Sequence, residues 1–169
     1  LLDSSRQYWN LQHLFGEHGI SAKDAKIDVA TMVGRKDKIV TVLTRGIEFL
    51  FKKNNVTWIK GSARIAGPGT VEVTGDGTQT LTAKEIVVAT GSYARSVPGI
   101  ELDRVRIITS DEAIAMRTVP KSMVILGSGA VGVEFASIFR RFGSKVTILE
   151  LLPRIVPAED EAVSAELEK

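Results

Sequence analysis

The sequence predicts an α/β protein, and three observations predict it. Residues 123–150 run from an apolar stretch through a glycine-rich turn and an amphipathic stretch into a second apolar stretch, the order of strand, turn, helix and parallel strand. Residues 56–89 break into short alternating segments separated by Gly67-Pro68-Gly69 and Gly75-Asp76-Gly77, the pattern of a small antiparallel β-meander. Residues 1–18 and 28–53 instead repeat their apolar positions at helical spacing.

Taken in order, Leu2, Tyr8, Trp9, Leu11, Leu14 and Phe15 give the first segment one apolar face, closed near Gly19. His13 and His18 lie on it without a carboxylate partner or a third ligand, so they are expected to be surface residues, and no metal site is predicted. Val29, Met32, Val33, Ile39, Val40, Leu43, Ile47, Leu50 and Phe51 mark the longer helix. Lys36, Lys38, Lys52 and Lys53 alternate there with Asp37 and Glu48, as on a solvated face. Strands are expected at 56–60, 62–65, 70–74, 80–83 and 85–89. The last differs: Ile86, Val87, Val88 and Ala89 are continuously apolar, as in a strand buried on both faces. It runs into Thr90, Gly91 and Ser92, small residues at a strand end where nucleotides sit in open α/β sheets, although an ordinary buried strand entering a turn has the same appearance. Residues 93–120 contain Pro98-Gly99 and a short helical stretch at 111–116 and form a crossing between two domains. Beyond residue 150, Pro157, Ala158, Glu159, Asp160 and Glu161 open a further helix with acids at its positive end.

The run Met123-Val124-Ile125-Leu126-Gly127-Ser128-Gly129-Ala130-Val131-Gly132-Val133-Glu134 carries the most chemistry. A G-x-G-x-x-G spacing alone is common, but here it sits between a buried strand and a helix with Val131, Phe135, Ile138 and Phe139 on one face. Gly127 permits the tight turn, Gly129 lets a pyrophosphate approach the backbone, and Gly132 lets helix and strand pack closely. The helix N-terminus then faces the phosphates. Gly143-Ser144 ends the helix, and the next strand closes on Glu150, whose carboxylate can accept both ribose hydroxyls and would repel a 2′-phosphate. The residues therefore point to a dinucleotide site selective for NAD(H) over NADP(H).

With 169 residues, 22 Lys plus Arg against 20 Asp plus Glu and no cysteine, the composition suits a globular domain and argues against nucleic-acid binding and against thiol chemistry within these residues. No apolar run is long enough to span a bilayer and no signal peptide is visible, so no membrane association is expected. A start at Leu1-Leu2-Asp3 without an initiator methionine, and a last helix of only a few turns, lead to the expectation of an internal fragment.

The order of these pieces resembles the two-dinucleotide flavoprotein disulfide reductases, and within them the dihydrolipoamide dehydrogenases. The resemblance rests on Leu1-Leu2-Asp3-Ser4-Ser5, Phe49-Leu50-Phe51-Lys52-Lys53-Asn54, Ile86-Val87-Val88-Ala89-Thr90-Gly91-Ser92, the glycine motif, and Leu152-Pro153-Arg154-Ile155-Val156-Pro157 with the residues up to Leu167. It implies a partial fold of Rossmann-like FAD and NAD domains, with 1–118 in the FAD-binding domain and 119–169 opening the NAD-binding domain. It implies FAD lined by Thr90, Gly91 and Ser92, with the Ala63 backbone on adenine. NAD would be held by Gly127, Ser128, Gly129, Ala130, Val131, Gly132, Val133 and Glu134, with Glu150 on the adenosine ribose. Glu134 would also lie near the flavin and support catalysis, paired with a lysine outside this chain.

The activity so implied passes electrons from a dihydrolipoyl group, borne by an acyltransferase or carrier protein, through a cysteine pair and FAD to NAD⁺, in a homodimer of the bacterial cytoplasm or mitochondrial matrix. The cysteine pair, the FAD fingerprint and the acid-base histidine lie outside these residues, so the chain alone is expected to be inactive. A related flavoprotein such as a glutathione reductase or an NADH oxidase, and a redox-inert nucleotide-binding module, are the alternative readings.

Overall fold

The computed structural model describes all of residues 1–169. The chain divides into two compact units: residues 1–39 with 94–169, and residues 40–93.

In the first unit, helix α1 (Leu2–His13) passes into a 3₁₀ turn (Phe15–His18) that stops at Gly19, whose φ of 74° is left-handed. Such a conformation costs a side-chain-bearing residue more than glycine. Helix α2 (Val29–Lys53) starts where Asp28 caps it, with Oδ1 accepting from the Thr31 amide at 2.9 Å and Oδ2 from the Thr31 hydroxyl at 2.7 Å. Only its beginning, through Ile39, belongs to this unit. Thr109 and Glu112 form a capping box that starts the single turn α3 (Ser110–Ala113), shorter than the expected 111–116 stretch.

Strand β4 (Ser122–Leu126), helix α4 (Ala130–Arg141) and strand β5 (Lys145–Leu149) make a βαβ unit in which the strands run parallel, Met123 beside Val146 and Ile125 beside Ile148. Because side chains alternate, Met123 and Val146 turn to the α4 side and join the core, while Val124, Leu126 and Leu149 on the other face are 61%, 49% and 54% exposed. That core gathers Val29, Val33, Ala113, Ile138, Phe139 and Phe142. Gly143, at φ 100°, ends α4 as expected, and the Ser144 amide bonds back to the Phe139 carbonyl. Helix α5 (Glu161–Leu167) is capped by Asp160, which accepts from the Ala162 amide.

The second unit holds the rest of α2 and an antiparallel sheet in the order β1-β2-β3, from β1 (Ser62–Gly67), β2 (Thr70–Thr74) and β3 (Thr78–Thr82). The meander is as expected, but two of its five predicted strands are absent. Residues 56–60 run as irregular chain, with Trp58 against Phe51. Residues 85–89 also pair with nothing, and instead of being buried on both faces Val87 and Val88 are 86% and 67% exposed. The reason is that a parallel strand exists only through neighbouring backbone on its flanks, and no segment of this chain lies alongside 85–89 to supply it.

Two outcomes follow from this packing. A Cβ on Gly132 would fall inside the Gly127 carbonyl and touch Ile125 Cγ2. Gly132→Ala gains roughly 1 kcal/mol of helix propensity, but forcing a methyl into backbone costs about 1–3 kcal/mol or more, so thermal denaturation of the full-length variant should show net destabilisation. An unchanged or raised Tm would contradict the close packing. Residues 1–169 expressed by themselves should self-associate and bind a hydrophobic dye, because Val42, Leu43, Phe49, Val87 and Val124 are all more than 60% exposed. Burial is worth about 1.5–3 kcal/mol per such side chain against a net stability of roughly 5–15 kcal/mol. A monomer with a sharp unfolding transition on size-exclusion and calorimetry would reject this expectation.

Candidate functional site

The candidate site is built where β4 hands over to α4. The Gly127 amide continues the parallel ladder by donating to the Leu149 carbonyl at 2.8 Å, and a φ of 96° at Gly127 turns the chain out of the strand. Gly129 is extended, with φ −63° and ψ 173°, and serves as the N-cap of α4 without any side-chain cap. A Cβ there would meet nothing within 4 Å, which leaves open space over the helix start. The amides from Ala130 to Gly132 have no carbonyl one turn earlier in the helix to bond, and with the helix dipole they form a seat for an anion. Gly132 allows the close crossing described above, so each glycine has its own steric reason.

Glu150 follows β5 directly. Its Oε2 accepts from the Ser128 amide at 2.7 Å and from the Ser128 hydroxyl at 2.8 Å. Its Oε1 accepts from the amides of Leu151 at 2.7 Å and Leu152 at 2.9 Å. These donors, the Leu152 amide first and then the Ser128 amide and hydroxyl, hold its carboxyl well below the usual range, at about 2. The acid and the glycine turn are thereby joined 22 residues apart in sequence.

The sequence-predicted residues 127–134 and Glu150 are thus contiguous, but they are not equivalent. Ser128 is fully buried and its amide and hydroxyl go to Glu150, not outward. Ala130, Val131 and Glu134 are exposed on the first turns of α4. Of the residues expected at a flavin, Ala63 lies on β1 opposite Val73 and is exposed, while Thr90, Gly91 and Ser92 are exposed in irregular chain, Gly91 at φ 76° with open space around it. No hydrogen bond joins Ala63 to Thr90, Gly91 or Ser92. His13 stacks on Trp9, His18 meets the edge of Phe15, and no cluster of metal-ligating side chains is present. Two open recesses, one lined by Tyr8, Phe15 and Met32 and one by Trp58, Val73 and Thr78, contain none of the predicted residues.

The sequence reading missed the amides of Leu151 and Leu152 as partners of Glu150, and it missed Val156. The Val156 amide donates to the Ser128 carbonyl at 2.9 Å, from a φ of 40° that a β-branched residue rarely adopts. No sequence signal foretells a valine there. Arg154, the cation nearest the acid in sequence, turns away: its guanidinium donates to the Pro157 carbonyl at 3.1 Å and to the Ser164 hydroxyl at 3.4 Å. No helix is long and apolar enough to cross a membrane.

Comparison with known proteins places the chain among related sequences and folds. The chain is 44% identical to a dihydrolipoyl dehydrogenase of Cupriavidus necator and 41% identical to a mitochondrial dihydrolipoyl dehydrogenase of Pisum sativum, in both cases over 100% of its own length. It spans only 36% and 34% of those relatives, about a third of each. Its fold is shared with the crystal structure of LpdA from Mycobacterium tuberculosis at a TM-score of 0.83 and 23% identity, over 99% of this chain and 37% of that one. Residues 7–169 match the sequence profile of the pyridine nucleotide-disulphide oxidoreductases. Matched to that family over nearly its whole length, the chain belongs to the pyridine nucleotide-disulphide oxidoreductase family.

Proposed function

We propose that the chain is part of an NAD-dependent dihydrolipoyl dehydrogenase, with residues 1–118 contributing to the FAD-binding domain and 119–169 opening the NAD-binding domain. The observation that carries the coenzyme reading is the acid at the end of β5 bonded directly into a glycine turn whose helix start has no side-chain cap. An uncapped helix N-terminus beside open space at Gly129 fits a pyrophosphate, and an anionic Glu150 fits a ribose diol while repelling a 2′-phosphate. Arg154 does not offset that repulsion, because its guanidinium is held by Pro157 and Ser164.

On the flavin side the fit is partial. Gly91 supplies a left-handed turn with free space, and Thr90 and Ser92 offer hydroxyls and amides, but the strand leading to them has no neighbours. When bound, FAD supplies the two-electron chemistry between a dithiol and a nicotinamide. With no cysteine among these residues, the redox pair must come from elsewhere in the protein. Glu134, exposed on the first turns of α4, takes its supporting place near the flavin from the family resemblance. The substrate is the dihydrolipoyl group of an acyltransferase or carrier protein in a 2-oxoacid dehydrogenase or glycine-cleavage complex, and the working form is a homodimer in the bacterial cytoplasm or mitochondrial matrix.

Steady-state kinetics of the full-length enzyme test this reading: NAD(H) should be preferred, and Glu150→Ala should weaken NADH binding roughly tenfold to a hundredfold, as for lost hydrogen bonds to a charged group. Equal or better use of NADPH would remove the assignment.

The same carboxylate predicts a pH response. Its folded pKa of about 2 lies below the ordinary 4.5, so its contribution to stability is complete above pH 4.5 and is lost as pH falls toward 2. A carboxyl-carbon NMR titration of Glu150 in the folded protein should therefore show a midpoint near 2. A midpoint near 4.5 would mean that the four donors are not engaged in solution.

A further inference from the structure

We propose that the two oxygens of Glu150 have different tasks: Oε2 is a permanent tie to Ser128, and Oε1 is the ribose acceptor. Ser128 is thereby the positioning residue that aims Glu150 at the coenzyme. The proposal rests on the reading of Glu150 as the acid that binds the adenosine ribose, and it goes beyond that reading by assigning atoms and by adding a residue that acts without touching the ligand.

The argument begins with capacity. A carboxylate has about four lone-pair sites, and Glu150 already accepts four hydrogen bonds. An arriving diol must therefore replace a donor, and the donors differ in what they lose. Ser128 is 0% exposed, so its amide and hydroxyl, once displaced from Oε2, would be left unsatisfied in the interior, the most costly outcome for a polar group. Its carbonyl is also engaged, by the Val156 amide at 2.9 Å, so the residue cannot swing aside without releasing the segment that follows β5. Leu151 and Leu152 are 97% and 53% exposed. Their amides can turn to water at little cost when a ribose hydroxyl takes Oε1.

The Oε2 side is thus fixed by buried groups and the Oε1 side is exchangeable. The Ser128 hydroxyl sets the plane of the carboxylate and so the direction in which Oε1 presents its lone pairs. A strained φ of 40° at the buried Val156 is consistent with a segment held in place by its bond to Ser128.

The experiment uses the full-length enzyme and compares Ser128→Ala and Ser128→Cys with the parent. The probes are NADH and reduced nicotinamide mononucleotide, which lacks the adenosine ribose. Ser128→Ala should raise the Kd for NADH about tenfold, leave the Kd for the mononucleotide unchanged, and move the Glu150 carboxyl titration upward. Ser128→Cys, a weaker donor of similar size, should fall between the alanine variant and the parent in both readouts. Equal loss of both nucleotides would show a merely structural role and overturn the proposal. So would an unchanged NADH affinity with an unchanged Glu150 titration. In the parent, which does not depend on a variant folding, NADH should shift the Leu151 and Leu152 amide resonances and leave the Ser128 amide in place, whereas displacement of the Ser128 amide would reverse the assignment of the oxygens. A Glu150 carboxyl signal unmoved by bound NADH would instead defeat the ribose reading itself, and the proposal with it.

Discussion

The bond between Ser128 and Glu150 is the constraint on which the arrangement of the βαβ unit and its glycine turn depends. Backbone pairing aligns β4 with β5 only as far as the Gly127 amide and the Leu149 carbonyl. Past that point the two chains diverge, one into α4 and the other toward α5, and regular secondary structure offers nothing to hold them together. The Glu150 carboxylate bridges the gap with charge-assisted hydrogen bonds, which are shorter and stronger than neutral ones. The turn is consequently held at the spot where the amides at the start of α4 must face outward.

From that bond the remaining features of the site follow as a set of mutual requirements. The helix can lie close to β4 only because Gly132 has no Cβ to meet the Gly127 carbonyl. Close crossing in turn brings Phe135 and Phe139 over Met123 and Val146, where the core lies. The space at Gly129 is open, with nothing within 4 Å of an added Cβ, while the neighbouring Ser128 is tied back to Glu150. Sterics at one glycine, packing beneath the helix and vacancy above it are parts of one arrangement, and a change at any of them is felt at the others.

The βαβ unit was legible in the sequence because its rules are local. Glycine spacing, the helical period of Val131, Phe135, Ile138 and Phe139, and an acid at a strand end are all written within residues 123–150, and Gly19 and Asp28 mark helix ends by equally local chemistry. What was not legible depends on partners distant in sequence or on none. The apolar run Ile86-Val87-Val88-Ala89 carries the composition of a buried strand, yet composition records what a segment prefers and not whether a neighbour is present to pair with it. The Val156 turn failed for the opposite reason: its conformation is imposed by contacts with Ser128 and Glu159 against the preference of a β-branched side chain.

This contrast also explains why the two groups of candidate residues differ in completeness within one chain. The glycine turn and Glu150 stand on two strands and the helix between them, contacts of short sequence separation that close upon themselves and need little else to take shape. Ala63 lies on a finished antiparallel sheet, but Thr90, Gly91 and Ser92 follow a segment whose apolar side chains remain in solvent. The chain spans about a third of the length of these curated relatives, and no segment of it lies beside 86–89. A nucleotide seat made of loop amides is only as precise as the strand that carries it. Residues 122–150 therefore close on contacts of their own, whereas Thr90, Gly91 and Ser92 follow an apolar run with no strand on either flank to fix where they begin.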